Sequence, residues 1–320
     1  MISAAGTDRA VGDQVDGDLV LVRSLLAGIL SVVSPPMDWA VATVRHSGGI
    51  TVLVTSNEGA GYLPAGLFLP PHVSRPWGWK LPEEAIWEGL SDPARVLAEF
   101  GSVRERRFGA RLSALVSSAP IPTGLRRELS ELPLEGEVVA APLDLGSPGP
   151  GRADRLGLTS SSALARRIDA VPEHLITDRC VRMATAAHAG SLAQGADQAL
   201  TLHAPEVRDR ILRAWRDGSP VDTRWWQDLR DVDDLLAAVM LAEKLDVSRI
   251  PLGELRSERG RWRAELARVR RVVLERRCDE LVLSLAGGPS RQTLRDAVYA
   301  YAQIVRTRPG ARNGAEAEPG

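Results

Sequence analysis

The sharpest catalytic pattern in the chain is Asp231-Val-Asp233-Asp234, a D-x-D-D run of the kind that donates a proton in some terpene cyclases. Clustered carboxylates could also hold Mg²⁺. A cyclase of that kind needs a much larger helical barrel than these 320 residues provide. An acidic first helical turn gains from the helix dipole without any ligand, and that is the expectation for this run. The histidines, His46, His72, His174, His188 and His203, form no i, i+3 or i, i+4 pair and no H-E-x-x-H, so no metal site is predicted. His188 lies in a run of small residues and reads as a packing position; His46 falls at a turn and reads as solvated. Cys180 and Cys278 each sit in a predicted helix, where a buried, inert thiol is the default. Gly59, Gly61 and Gly66 miss the G-x-G-x-x-G spacing, and there is no P-loop, nucleophile elbow or kinase signature set. No catalytic residue, cofactor site or metal site is assigned, which leans the reading away from an enzyme.

Binding residues are easier to nominate. Trp77 and Trp79 lie in the proline-rich loop from Pro70 to Pro82, and aromatics on rigid loops make efficient anchors for a partner. They also make good lids over a small domain's core. In the segment 252–286, Arg256, Arg263, Arg270 and Arg277 recur every seven residues and so trace one slowly drifting stripe. Leu255, Trp262 and Val269 form the adjoining row. The stretch 252–282 holds nine arginines and six acids, whereas 228–246 holds six acids and two basic residues. Two neighbouring helices of opposite charge pair with each other without a ligand, and that is the reading preferred here. A protein-binding surface comes second, and nucleic acid stands as the further alternative, one that needs the stripe exposed.

These residues need elements to carry them. Asp18 is placed to cap a helix over 19–33. Trp39–Arg45 and Ile50–Thr55 are strand-like runs around the His46-Ser-Gly-Gly49 turn, and so predict an antiparallel hairpin against that helix. A short strand is predicted within 62–69, helices over 93–100 and 104–117, and a weak strand over 138–143. Gly146-Ser-Pro-Gly-Pro-Gly151 and Thr159-Ser-Ser-Ser162 have linker composition. Beyond Pro172, apolar spacing of helical period marks segments 174–193, 205–217, 231–246, 252–286 and 290–307. Gly287-Gly-Pro289 stops the longest and Ser290 caps the next. Trp215, Trp225, Trp226 and Trp262 are expected to pack this helical domain. The division predicted is a disordered tail 1–16, an α/β module 17–143, a linker 144–170, a helical domain 171–308 and a disordered tail 309–320. The fold class is α+β, a small α/β N-terminal module linked to an all-helical C-terminal domain.

Composition sets the outer limits. The 320 residues are 44% hydrophobic and 25% charged, with a formal charge of −1, values of an ordinary globular chain without global attraction to nucleic acid or anionic membrane. Two cysteines exclude a disulfide scaffold. The longest apolar stretch, 19–33, would span about 22 Å as a helix, short of a bilayer core of roughly 30 Å, and the residues before it are acidic rather than positive. A cytoplasmic location without membrane insertion is expected, with homo-oligomerisation left open. Only Lys80 and Lys244 are lysines, a bias typical of GC-rich genomes and of an actinobacterial origin.

Trp39-Ala-Val-Ala-Thr43, the Gly48-Gly49 turn, Thr51-Val-Leu-Val-Thr55 and Gly61-Tyr-Leu-Pro-Ala-Gly66 together carry a likeness. This region resembles an uncharacterised mycobacterial family with a "WAVG…TTVLVT…GWIPPGI"-like N-terminal module and a helical C-terminal module, some members of which are associated with type VII (ESX) secretion. Tyr62 stands where that pattern has tryptophan. Tyr299 and Tyr301 are not followed by the acidic residue of a Y-x-x-x-[DE] secretion signal, so the resemblance implies an accessory role rather than export. The function expected is that of a non-enzymatic protein-interaction or adaptor protein. The alternatives are a nucleic-acid-associated protein reading through the arginine-rich helix, and a hydrolase or transferase with a site assembled in space.

Overall fold

The computed structural model describes residues 4–33, 37–58, 61–79, 81, 83–141, 143–194, 203–255 and 261–307. Two compact units result, one of Met1–Leu158 with Leu245–Arg263, the other of Thr159–Lys244 with Ala264–Gly320. The class is α+β as predicted: a mixed five-stranded sheet in the first unit, and helices in the second.

In the first unit, β1 (Trp39–His46) and β2 (Gly49–Ser56) form the predicted hairpin, in register from Trp39 opposite Ser56 to His46 opposite Gly49. His46 closes its turn by accepting from the Gly48 amide at 3.1 Å. The sheet order is β3-β2-β1-β4-β5, with β3 (Val73–Ser74) parallel to β2, β4 (Arg111–Ser117) antiparallel to β1, and β5 (Leu134–Glu135) parallel to β4. Unbroken burial of Trp39–Val44 means that both faces of the sheet are covered. On one face, the helix α1 (Ala4–Leu30) sends Asp18 to grip Arg45 of β1 through two bonds of 2.7 and 2.9 Å. On the other, beyond the short α2 (Glu84–Trp87), Gly101 of α3 (Pro93–Phe108) lies so close to Leu112 that an added Cβ would sit 3.2 Å from its Cδ1, and Leu112 pairs with Val44.

Several boundaries differ from the sequence reading. Residues 4–16 are helical rather than a disordered tail, and Asp18 sits inside α1, spent on Arg45 instead of a cap. The 309–320 tail lies outside the described residues. The helix predicted over 104–117 does not exist as such. Asp92 caps α3 by accepting from the Ala94 and Arg95 amides, Pro93 opens it, and Gly109 ends it in the left-handed region at φ 63°, after which the chain turns into β4. Residues 62–69 and the described residues of 138–143 form no strand; Leu69 makes an isolated bridge to Ala153, and the Val138 amide bonds the Ser117 carbonyl. After α4 (Thr123–Glu128), the stretch read as linker carries α5 (Arg155–Thr159) and α6 (Ser162–Asp169). Above all, residues 245–263 return to the first unit rather than belonging to a continuous helical domain. The Leu245 amide bonds the Gly89 carbonyl at 2.8 Å, Arg95 donates to the Ile250 carbonyl at 2.8 Å, and Glu99 accepts from the Gly253 amide at 2.9 Å. Trp262, expected in the helical domain, falls in the first unit by this division.

The second unit contains α6, α7 (Ile176–Leu192), α8 (Ala204–Arg216), α9 (Thr223–Ala242), most of α10 (Arg261–Leu283) and α11 (Arg291–Thr307). Ser290 caps α11 as predicted, accepting from the Thr293 amide at 3.2 Å. Leu236 and Met240 of α9 pack with Ala204, Val269, Val272 and Val273 in one apolar cluster.

Candidate functional site

The proline-rich loop resolves into a 3-10 turn, Pro76–Trp79, that sends its two tryptophans to different environments. Trp77 is 2% exposed and meets Trp87 edge-on at 6.5 Å; Trp87 in turn meets Phe100 at 5.7 Å. Gly61 makes this possible: it holds φ 62°, and a Cβ there would lie 2.6 Å from the Trp77 ring. Its carbonyl accepts from Arg75 at 2.7 Å. Trp77, nominated from the sequence as a partner anchor, is therefore a core residue in this structure.

Trp79 is 37% exposed. The Arg104 guanidinium lies 3.9 Å from its ring centroid and 4.6 Å from that of Phe108, which is 59% exposed. Arg104 and Phe108 are one turn apart on α3, which places the cation between the two rings. The Arg104 Nε is buried without a hydrogen-bond partner, and burial lowers the pKa of the group. Neighbouring charges are otherwise engaged: Arg107 with Glu83 at 2.6 Å, Arg111 with Glu105 at 3.1 Å, and Arg106 with the Ser102 hydroxyl at 2.6 Å. An aromatic pair clasping a cation at the basic end of a helix can accept a carboxylate and an apolar side chain together. Sequence reasoning found Trp79 but missed Arg104 and Phe108, although their i, i+4 spacing beside a helix-stopping glycine was visible.

The arginine row does not form an open stripe. Arg256 lies outside the described residues; Arg263 is exposed, Arg270 half-buried, and Arg277 only 3% exposed with its guanidinium 3.2 Å from Glu280. Two acids of the 228–246 segment pair with the arginine-rich helix, through arginines outside the predicted row. Arg268 meets Glu243 at 2.7 Å, and Arg276 reaches both oxygens of Asp233 at 3.1 Å. The D-x-D-D run lies mid-helix rather than in a first turn, because Asp222 caps α9 nine residues upstream of Asp231. Asp231 accepts from Gln227 at 2.7 Å, and no group of three or more potential ligands able to hold a metal occurs among the described residues.

The second unit also encloses an ionic cluster that was not foreseen. Arg208 of α8 donates to Asp279 at 2.7 Å, to the Glu275 carbonyl at 3.1 Å and to the Glu275 carboxylate, all three side chains being fully buried. Arg271 meets Glu275 at 2.7 Å, and Ser191 donates to the same carboxylate. Burial pushes Asp279 up to about 7, against the opposing pull of Arg208; burial raises Cys278 to about 12 and Cys180 to about 11. His188 is buried and pushed down to about 4, chiefly by desolvation, so its ring is neutral. Thiols held protonated and carboxylates without solvent contact offer no nucleophile to a substrate. The signal was present: Arg208 sits in the buried row Ala204, Val207, Arg208, Ile211 and Leu212 of α8.

No protein-family model matches the chain, and no curated protein matches it significantly. No helix among the described residues is long and apolar enough to cross a membrane.

Proposed function

We propose that the chain is a non-enzymatic protein-interaction protein whose first unit captures an acidic partner segment at Trp79, Arg104 and Phe108. The supporting observation is the Arg104 cation, held between two accessible rings and given no carboxylate by the described residues. A partner carboxylate would balance the Arg104 charge, while a neighbouring apolar side chain would cover Phe108. Such aromatic and arginine groups dominate binding energy at interfaces. The resemblance of residues 25–69 to the mycobacterial family adds the finer reading, an accessory of type VII secretion in an actinobacterial cytoplasm.

Phe108→Ala and Trp79→Ala are the test, because both side chains are exposed and their truncation leaves the sheet intact. Tagged full-length protein and each variant are used for affinity capture from nuclease-treated native cytosol, followed by measured affinity for the protein retained. Each variant is expected to weaken binding by about 2 kcal/mol, roughly thirtyfold, and added salt to weaken it further. Equal capture by wild type and both variants, or recovery of material that nuclease removes, would overturn the proposal.

A further inference from the structure

A cavity of about 380 Å³ lies within the second unit, between α7, α11 and the end of α6. It forms where the row 179, 182–183, 186 on α7 faces the row 294, 298, 301 on α11, each at helical spacing. Met183, Leu294 and Val298 are buried and give it an apolar floor. Arg179, Arg182 and the Tyr301 ring complete the wall. Arg182 is already committed to Asp178 one turn away. Arg179 is not: its Nε is buried without a hydrogen-bond partner, and no carboxylate among the described residues pairs with it. An unpaired, partly desolvated guanidinium beside an apolar cavity calls for an anion with an apolar body. Loss of acceptors by a charged donor costs more than loss by a neutral one.

We infer that this cavity is a binding site for a medium-chain carboxylate, with the carboxylate on Arg179 and the chain over Met183, Leu294 and Val298. The volume sets the length. At roughly 30 Å³ per heavy atom, as for liquid water, the space holds about a dozen, the size of a ten-carbon acid. Pockets of this volume with an apolar lining and few polar groups are typical of small-ligand sites. The inference is independent of the partner surface on the first unit, since it uses none of the same residues.

The experiment is titration calorimetry of the full chain with decanoate and decyltrimethylammonium below their micelle concentrations and with decanol below its solubility limit. Decanoate is expected to bind with Kd on the order of 0.1 mM, and decanol and the cation at least about tenfold more weakly. Arg179→Gln is expected to bring decanoate down to the level of decanol. Ala186→Trp, at an exposed rim position where a large ring blocks the mouth without entering the core, should remove binding of both. The second variant keeps the test decisive if the first perturbs folding. Equal affinity for decanoate and decanol, tighter binding of the cation, no binding at 1 mM (about ten times the expected Kd), or decanoate affinity unchanged in both variants would each overturn the assignment.

Discussion

Replacing Arg208 with methionine isolates a buried carboxylate, and the consequence can be worked from the contacts. Glu275 keeps Arg271 at 2.7 Å when Arg208 is lost. Asp279 keeps no ion-pair partner among the described residues: its Oδ1 loses the 2.7 Å bond, and its Oδ2 is already buried without a hydrogen-bond partner. Breaking a fully buried pair in this way costs about 3–5 kcal/mol, a large share of a typical domain's stability. The loss should depend on pH. Asp279 stands at about 7 through burial while Arg208 pulls it down, so removal of Arg208 drives it higher still. An acid whose folded pKa lies above its unfolded value of about 3.9 binds protons more readily when folded, and stability falls as pH rises through the interval between them. In wild type that interval runs from about 4 to about 7; in the variant it extends above 7. At pH 5 the variant's Asp279 takes up a proton and the penalty shrinks, whereas at pH 8 it is felt in full. Hydrogen exchange read on peptides from α8 and the C-terminal half of α10 isolates the second unit from the first. Arg208→Met/Asp279→Asn should recover at least half of the loss at pH 8, because the orphaned charge is gone. A loss below about 1 kcal/mol, an equal loss at both pH values, or no recovery in the double variant would refute the reasoning.

Gly61→Ala should destabilise the first unit by about 2–4 kcal/mol, since it combines a left-handed φ with a Cβ 2.6 Å from the Trp77 ring; denaturant unfolding followed by tryptophan fluorescence measures it, and a change below about 0.5 kcal/mol would mean that the loop relaxes freely. His188, held at about 4 by burial, should show a neutral imidazole by long-range ¹H–¹⁵N correlation from pH 8 down to pH 5. Its folded pKa lies below the unfolded value near 6.5, so its contribution to stability declines as pH falls from there towards 4; a ring titrating near 6.5 in the native state would contradict the burial argument.

The parts of the fold legible in the sequence were those decided locally. The β-branched run 50–55, the Gly48-Gly49 turn and the Trp39–Arg45 run specify their hairpin within 18 residues, and its register follows from the turn. The ends of α3 were also written locally, in Asp92-Pro93 and Gly109, but Arg104 to Ser117 offers apolar residues at spacings that fit a helix as well as a strand. What decides it is pairing with β1, a contact between residues about 70 positions apart. The return of 245–263 to the first unit is of the same kind, fixed by Arg95 and Glu99 reaching a segment more than 150 residues away.

Arginine explains why the candidate site was the least legible part. With two lysines against 38 arginines, one residue type serves both solvent and core. Arg75, Arg95, Arg104, Arg155, Arg208 and Arg277 are all buried. Four of them close the chain on itself by donating to carbonyls: Arg75 to Gly61, Arg95 to Ile250, Arg155 to Leu63 and Arg208 to Glu275. A planar guanidinium with five donors can bracket a loop and pair a carboxylate at once, which a lysine's single ammonium does not. Arg277 has Glu280 beside it. Arg104 alone of the six meets neither carbonyl nor carboxylate among the described residues, only the faces of Trp79 and Phe108. An arginine-rich sequence hides this departure, because it lies in what Arg104 fails to contact within its own chain. That unmet capacity, beside two rings open to solvent, is the physical reason to look there for a partner.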